Sequence, residues 1–393
     1  MSWADYSKEI ATVLEDEVSR LGIKRTVDHY EEDIVKILEE YPETLELAKE
    51  VRRIREEALS RNAFLLDKLE SKCKSLGVNF FYAEGPHDVL KYISDLVGKG
   101  KTIVKSKSMV SEEVGLRKYL EKIGSEVWET DLGEFILQLA DDTPMHIVTP
   151  SIHYSKERVA EVFSKRLGES FDPTDVEGMV RFFSNFMRRK YFESEFGVIG
   201  SNSLGVEEPA SLLIHNEGNI TLTYNTPNGI IILTDLFKLV PSIKDSIKIA
   251  LVTSRYAGYR IAGYYDVIYY RSLVERGKDL HVVVLDGGRE KMLRDKEFFE
   301  AALCIKCGAC MYKCTVFQLV GGVFGGPAYP SGIGTVITSF LYGVENLAPS
   351  LYTCLLDGRC VEACPINIDI PSMIIRLRSR YVSKASSLHS GLP

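Results

Sequence analysis

The 393-residue sequence has no apolar run approaching the roughly 18–20 residues that a helix needs to cross a bilayer. Its start, Met1-Ser2-Trp3-Ala4-Asp5-Tyr6, lacks the basic-then-apolar plan of a secretion signal, so a cytoplasmic location is expected. An excess of positive charge is missing too. The formal net charge is −7, which argues against a nucleic-acid partner, because such domains carry a basic patch or stripe. Internal repeats and low-complexity tracts are absent. Cysteine is nearly absent before residue 304: of eight cysteines, only Cys73 precedes it, and the other seven crowd between Cys304 and Cys364. So uneven a distribution is not a disulfide scaffold, and in a reducing compartment a cluster of thiols points to metal.

Residues 1–77 read as a helical N-terminal segment. Ile10, Val13, Leu14, Val18 and Leu21 recur at helical spacing, with Gly22 as a stop. A longer helix follows, with Leu47, Val51, Ile54, Ala58, Leu65, Leu69 and Cys73 on one face, which makes Cys73 a small core residue. Residues 78–295 read as one α/β domain. Short β-rich runs (Val78–Tyr82, Thr102–Lys105, Glu126–Trp128, His146–Pro150, Ile230–Thr234, His281–Asp286) alternate with amphipathic helices, and that alternation implies βαβ units and a parallel sheet. Ser211–His215 and Asn219–Tyr224 flank Glu217-Gly218 and read as a hairpin. Residues 296–383 have little strand signal and read as a mainly helical metal-binding domain. Residues 384–393 read as a Ser-rich flexible tail.

Cys304-Ile-Lys-Cys307-Gly-Ala-Cys310-Met-Tyr-Lys-Cys314 is the C-x2-C-x2-C-x3-C run of cluster-binding ferredoxins, in which the fourth cysteine ligates the other cluster. Three thiolates at intervals of three residues suit separate irons of one cubane. A tetrahedral zinc site would leave the third close cysteine without a place. Cys354-Leu-Leu-Asp357-Gly-Arg-Cys360-Val-Glu-Ala-Cys364-Pro365 repeats the frame with aspartate at the second ligand position. The expected cofactors are therefore two iron–sulfur clusters. Cluster one is a [4Fe–4S] held by Cys304, Cys307, Cys310 and Cys364. Cluster two is held by Cys314, Cys354 and Cys360, and is either a [4Fe–4S] with Asp357 as fourth ligand or a [3Fe–4S] with that corner empty. A carboxylate is a harder ligand than thiolate, which makes cluster two the more labile of the pair. The long segment between Cys314 and Cys354 suits an α-helical ferredoxin arrangement. Gly321-Gly-Val-Phe-Gly-Gly326 follows no strand, so it is weak as a nucleotide loop.

A set of ordered motifs resembles the lactate-utilization (LUD) domain: Lys105-Ser-Lys-Ser-Met109; Glu129-Thr-Asp-Leu-Gly-Glu134 with Gln138; His146-Ile-Val with His153; Gly200-Ser-Asn202; Asn216-Glu-Gly-Asn219; Lys238-Leu-Val-Pro241; and His281-Val-Val-Val-Leu-Asp286. With the double cysteine motif behind it, the chain resembles the lactate-utilization protein B family. That resemblance implies a NagB/RpiA/CoA-transferase-like α/β fold. It also implies partnership with other subunits of a lactate-utilization-type complex, and a shared or non-catalytic part in oxidising lactate or a related 2-hydroxy acid. The chain departs from the family pattern at Phe237, at Thr315 where proline is usual, and at Asp357 where cysteine is usual. A metabolite-binding redox sensor and a subunit of a heterodisulfide-reductase-like complex are the alternatives.

Within the LUD region, Lys105, Lys107, Ser108, Asn216, Glu217 and Lys238 are the candidate contacts for an anion or substrate. Lys105 and Lys107 end a strand ahead of a helix, where ammonium groups and backbone N–H groups converge. Asp131 and Glu134 fall at a helix start, where carboxylates are favoured without any catalytic duty. No nucleophile–base constellation stands out.

Overall fold

A computed structural model describes residues 2–259 and 264–389. Among the described residues, ten strands form two sheets: β1 (Asn79–Ala83), β2 (Thr102–Lys105), β3 (Glu126–Glu129), β4 (Phe196–Ile199), β5 (Ser203–Gly205), β6 (Ala210–His215), β7 (Gly229–Asp235), β8 (Leu239–Val240), β9 (Tyr264–Tyr269) and β10 (Asp279–Leu285). The larger sheet runs β1-β10-β7-β4-β2-β3 and is parallel throughout, as the alternation of strands and helices implies. Its central strand reads Gly-Ile-Ile-Ile-Leu-Thr-Asp and is buried along its whole length. Ile230 and Ile232 pack into one apolar cluster, while Ile231 and Leu233 pack into another on the opposite face. A strand's two-residue period, with helices covering both faces, produces this near-continuous apolar run. Each such side chain taken from water contributes about 1.5–3 kcal/mol.

The second sheet, β8-β5-β6-β9, corrects the hairpin expectation. Ser211–His215 does lie in a strand, but it pairs antiparallel with β9 and β5, and Asn219–Asn225 is a helix. Gly218 supplies the left-handed backbone (φ 71°) that lets the chain enter that helix. The Asn219 side chain accepts from the Ile220 N–H (2.8 Å) and donates to the Thr130 carbonyl (3.1 Å), tying the turn to the main sheet. The expected strand at His146–Pro150 is also absent. His146 Nδ1 accepts from the N–H groups of Val148 and Thr149 (3.1 Å each), which folds this stretch into a side-chain-stapled turn.

Four helices precede the sheet: Trp3–Glu15, Glu17–Glu40, Thr44–Ser60 and Asn62–Ser75. Gly22 is not a stop but lies inside the second. A Cβ there would sit 2.3 Å from the Ile152 carbonyl oxygen, so glycine marks a close approach. The first break falls instead at Asp16, whose carboxylate caps the N–H groups of Val18 and Ser19. The third helix joins the two halves of the molecule. Buried Arg55 donates to the carbonyls of Phe237 in the α/β domain and of Ala302 and Leu303 in the cysteine region. One turn away, Arg52 donates to Ile366 (2.5 Å) and Asn367 (2.8 Å) carbonyls and to Glu300 (2.7 Å). The cysteine region is helical, as expected. Its last helix, Ile370–His389, runs past the expected boundary at residue 384; residues 390–393 lie outside the described residues. Among the described residues, no helix is long and apolar enough to cross a membrane.

Candidate iron–sulfur centres and an adjoining cavity

Both cysteine motifs fold the same way. In the first, Lys306 (φ 60°) and Gly308 (φ 85°) adopt left-handed backbone, a short helix spans Ala309–Tyr312, and Cys314 follows at φ −78°, ψ 114°. In the second, Leu356 (φ 61°) and Gly358 (φ 80°) take the same turns, Arg359–Ala363 is the helix, and Cys364 sits at φ −78°, ψ 116°. A non-glycine residue in this region costs about 1–3 kcal/mol and persists where its surroundings over-determine it. Here the turns curl each motif around a space and aim successive side chains inward. The Lys306 N–H donates to Cys304 Sγ at 3.4 Å.

Cys304, Cys307, Cys310 and Cys364 line the first space, among Ile305, Met311, Ile333, Ile337, Ile366 and Ile368. Cys314, Cys354, Cys360 and Asp357 line the second. The last cysteine of each motif thus lines the space that the other motif surrounds. Cys310 and Ile370 border both spaces, so the two are neighbours. Among the described residues, no three His, Cys, Asp or Glu side chains converge as ligands of a single ion would. The donor set fits two cubane-sized groups. As free thiols Cys314, Cys360 and Cys364 would stay protonated, because burial pushes Cys314 and Cys364 up to about 11 and Cys360 up to about 12; iron is what would hold them as thiolates. Asp357 is exposed, accepting from the Thr315 hydroxyl (2.9 Å) through one oxygen and from the Arg359 N–H (3.3 Å) through the other.

Against the first space lies a third and much larger cavity of about 420 Å³, lined mostly by the α/β domain. Met109, Ile147, Lys306 and Tyr329 border both. Five of the six sequence candidates line it: Lys107, Ser108, Asn216, Glu217 and Lys238. Lys105 does not. It is the last residue of β2, in register with Glu129 of β3, and is fully buried. Its ammonium lies 2.9 Å from Glu129 and 3.1 Å from Glu112. Burial opposes its charge, yet these carboxylates hold it above the usual lysine range. Its duty is to neutralise buried acids. Lys107, beyond the strand end, reaches the Val148 carbonyl (2.7 Å) and Asp131 (3.3 Å) at the cavity edge. Asp131 also caps the helix Leu132–Ala140 by accepting from the Glu134 N–H, the structural duty expected of it. Burial, with repulsion from Asp131, pushes Glu217 up to about 7, so it can hold or release a proton near neutrality.

Asp235, Lys238, Lys306 and Tyr329 also line this cavity, beside Arg289 and Glu113. Arg289 and Glu113 form a buried fork (3.0 and 2.5 Å), and the Tyr329 hydroxyl donates to the same carboxylate at 2.7 Å. Lys306 Nζ lies 3.9 Å from the centre of the Tyr329 ring and is buried with no hydrogen-bond partner among the described residues. Burial, then repulsion from Lys306, pushes Lys238 down to about 7. His146, stacked on Tyr312, is held neutral: burial, then Lys107, pushes it down to about 3.

Residues 66–269 match the family model described as the LUD domain, and residues 300–368 match the 4Fe-4S dicluster domain. Lactate utilization protein B 1 of Bacillus mycoides (strain KBAB4) is 32% identical over 388 residues, covering 97% of this chain and 81% of that protein. This chain belongs to the lactate utilization protein B family. The relative of that name from Oceanobacillus iheyensis is 35% identical over 338 residues, covering 84% and 70% of the two chains. Among solved structures, a DUF162 family protein from Deinococcus radiodurans aligns at a TM-score of 0.33 and 10% identity, over 57% of this chain and 98% of its own. The wall that this family member places between its cavity and the four-cysteine space was not found from sequence. Met109, Ile147, Lys306 and Tyr329, which form it, stand far apart along the chain. Lys306 carried the most direct signal, since a residue inside C-x2-C has to lie beside the ligands.

Proposed function

We propose that this chain is the iron–sulfur subunit of an oxidoreductase complex acting on lactate or a related 2-hydroxy acid. Membership of the lactate utilization protein B family and the dicluster domain support the lactate-related electron-transfer role. The contiguity of three spaces carries the finer reading. The cavity shares Met109, Ile147, Lys306 and Tyr329 with the four-cysteine space, and that space shares Cys310 and Ile370 with the space lined by three cysteines and Asp357. The latter opens to a surface where Leu355 is 64% exposed.

Cys304, Cys307, Cys310 and Cys364 would hold one cluster, and Cys314, Cys354 and Cys360 the other with Asp357 at its fourth corner; bound there, the clusters supply one-electron carriage. The isoleucines around the first space exclude water. Asp357, already fixed by Thr315 and Arg359, presents a carboxylate where the first motif presents Cys307. Lys107 and Lys238 give the cavity positive charge, and Glu217 is placed to take or return a proton.

Iron and sulfide quantification with EPR on the anaerobic chain tests this. About eight irons supports two cubanes and about seven supports a [3Fe–4S] second cluster. The protein alone should show reducible clusters and no turnover with lactate. Bound zinc without iron, or robust lactate oxidation by this chain alone, would overturn the reading. Co-purifying subunits identify the complex.

A further inference from the structure

Asp235 stands within Coulomb reach of four cations, Arg55, Lys238, Arg289 and Lys306. Apart from Asp235, the carboxylate built into this group is Glu113, which is taken up by Arg289 and Tyr329. Positive charge is therefore in excess at this end of the cavity. Arg55 spends its donors on backbone carbonyls and Arg289 on Glu113. The two lysines are different. Lys306 Nζ is buried without a hydrogen-bond acceptor, and Lys238 makes no hydrogen bond or ion pair within the described residues. An ammonium carries three donors, and enclosing it without acceptors is costly. Both lysines border the same cavity, whose volume of about 420 Å³ falls within the roughly 300–1,000 Å³ of organic-ligand sites. Its lining continues through apolar Ile136, Val148 and Ile220 to the polar groups Ser108, Asn216 and Asn219.

We infer that this cavity binds an organic acid, its carboxylate set between Lys238 and Lys306 against the four-cysteine space. The inference deepens the proposed function and rests on it: the substrate site of the complex, or part of it, lies in this chain rather than wholly in a partner. The two cations supply anchorage. The apolar middle accommodates the carbon skeleton, and the lining at Asn216 and Glu217 offers hydrogen-bonding groups to a hydroxyl or keto oxygen. Because Lys306 and Tyr329 border both spaces, a ligand here would touch the wall of the first cluster's site. The competing explanation is that the lysines only balance the negative charge of four thiolates and bind nothing.

The test uses the full chain carrying its clusters, with iron content and the reduced EPR spectrum checked first, and titrates it calorimetrically with L-lactate, pyruvate and inorganic phosphate. Saturable one-to-one binding of lactate or pyruvate is expected, with a change in the EPR spectrum of the reduced protein on binding. Lys238→Met should weaken binding at least ~10-fold, while Lys238→Arg retains most of it. Ala257→Leu, elsewhere on the lining, should weaken binding by narrowing the cavity while leaving the iron content unchanged. Absence of carboxylate binding by protein with intact EPR signals overturns the inference, as does unchanged affinity in Lys238→Met, or binding of phosphate alone. A protein whose clusters cannot be reduced would instead refute the electron-transfer role, whatever the cavity binds.

Discussion

Replacing Glu113 by alanine probes the joint that holds the α/β domain against the cysteine region. Its carboxylate is 1% exposed and takes both Nη groups of Arg289, which is itself fully buried. Tyr329, from the cysteine region, donates to the same oxygen at 2.7 Å, and the Tyr342 hydroxyl donates to the Glu113 carbonyl at 2.6 Å. Removing one partner of a buried ion pair costs about 3–5 kcal/mol, because the other charge is left uncompensated. Asp235, 3.5 Å from Arg289 Nε, retains part of the attraction and moves the electrostatic cost to the lower end, about 3 kcal/mol. The Tyr329 hydroxyl loses its acceptor as well, adding about 1 kcal/mol or more. Glu113→Ala should therefore lose about 4 kcal/mol in anaerobic urea unfolding followed by tryptophan fluorescence. Tyr329→Phe alone should cost about 1.5–3 kcal/mol. The double variant should fall short of the sum, since the tyrosine's hydrogen bond is removed only once. A Glu113→Ala loss under about 1 kcal/mol, or strict additivity, would refute the assigned network.

Asp357→Cys restores a fourth thiolate to the second motif; mildly oxidised variant protein should lack the [3Fe–4S] EPR signal expected of the parent, and identical spectra would remove Asp357 from the cluster's corner. Gly22→Ala places a Cβ 2.3 Å from the Ile152 carbonyl and should destabilise the protein by about 1–3 kcal/mol in the same urea assay; a neutral result would show that the helix can shift. Glu134 is pushed up to about 8 by burial and by the charges of Glu129 and Glu112. Because its folded value exceeds the ordinary 4.5, its contribution to stability is full below pH 4.5 and is lost as pH rises through 8. Glu134→Gln should flatten the decline of the urea midpoint between pH 5 and about 8, and an unchanged slope would mean that another group titrates there.

The features legible in the sequence are those whose cause is local. Cluster ligation needs thiolates a few residues apart, so the two cysteine motifs are legible in the sequence; in the fold Cys304, Cys307, Cys310 and Cys364 line one space. The parallel sheet was legible for a similar reason: its strands are continuous apolar runs such as Ile230-Ile-Ile-Leu233. The second sheet was not, because β5 and β8 have only three and two residues, and β6 finds its partner β9 beyond an intervening helix, two strands and a second long helix. Thr221 and Thr223 lend Asn219–Tyr224 the look of a strand, but the left-handed Gly218, with the Asn219 side chain tied to the Ile220 N–H and the Thr130 carbonyl, decides for a helix. Lys105 and Lys107 show the limit most sharply. Two residues apart and chemically identical, one ends β2 facing Glu129 and the other clears the strand to reach the cavity, a difference set by where β3 stops pairing. The cavity's wall is the least local feature of all, drawn from Met109, Ile147, Lys306 and Tyr329. Lys306 belongs to the most recognisable motif in the chain, and only the folded sheet on its other side gives its ammonium something to face.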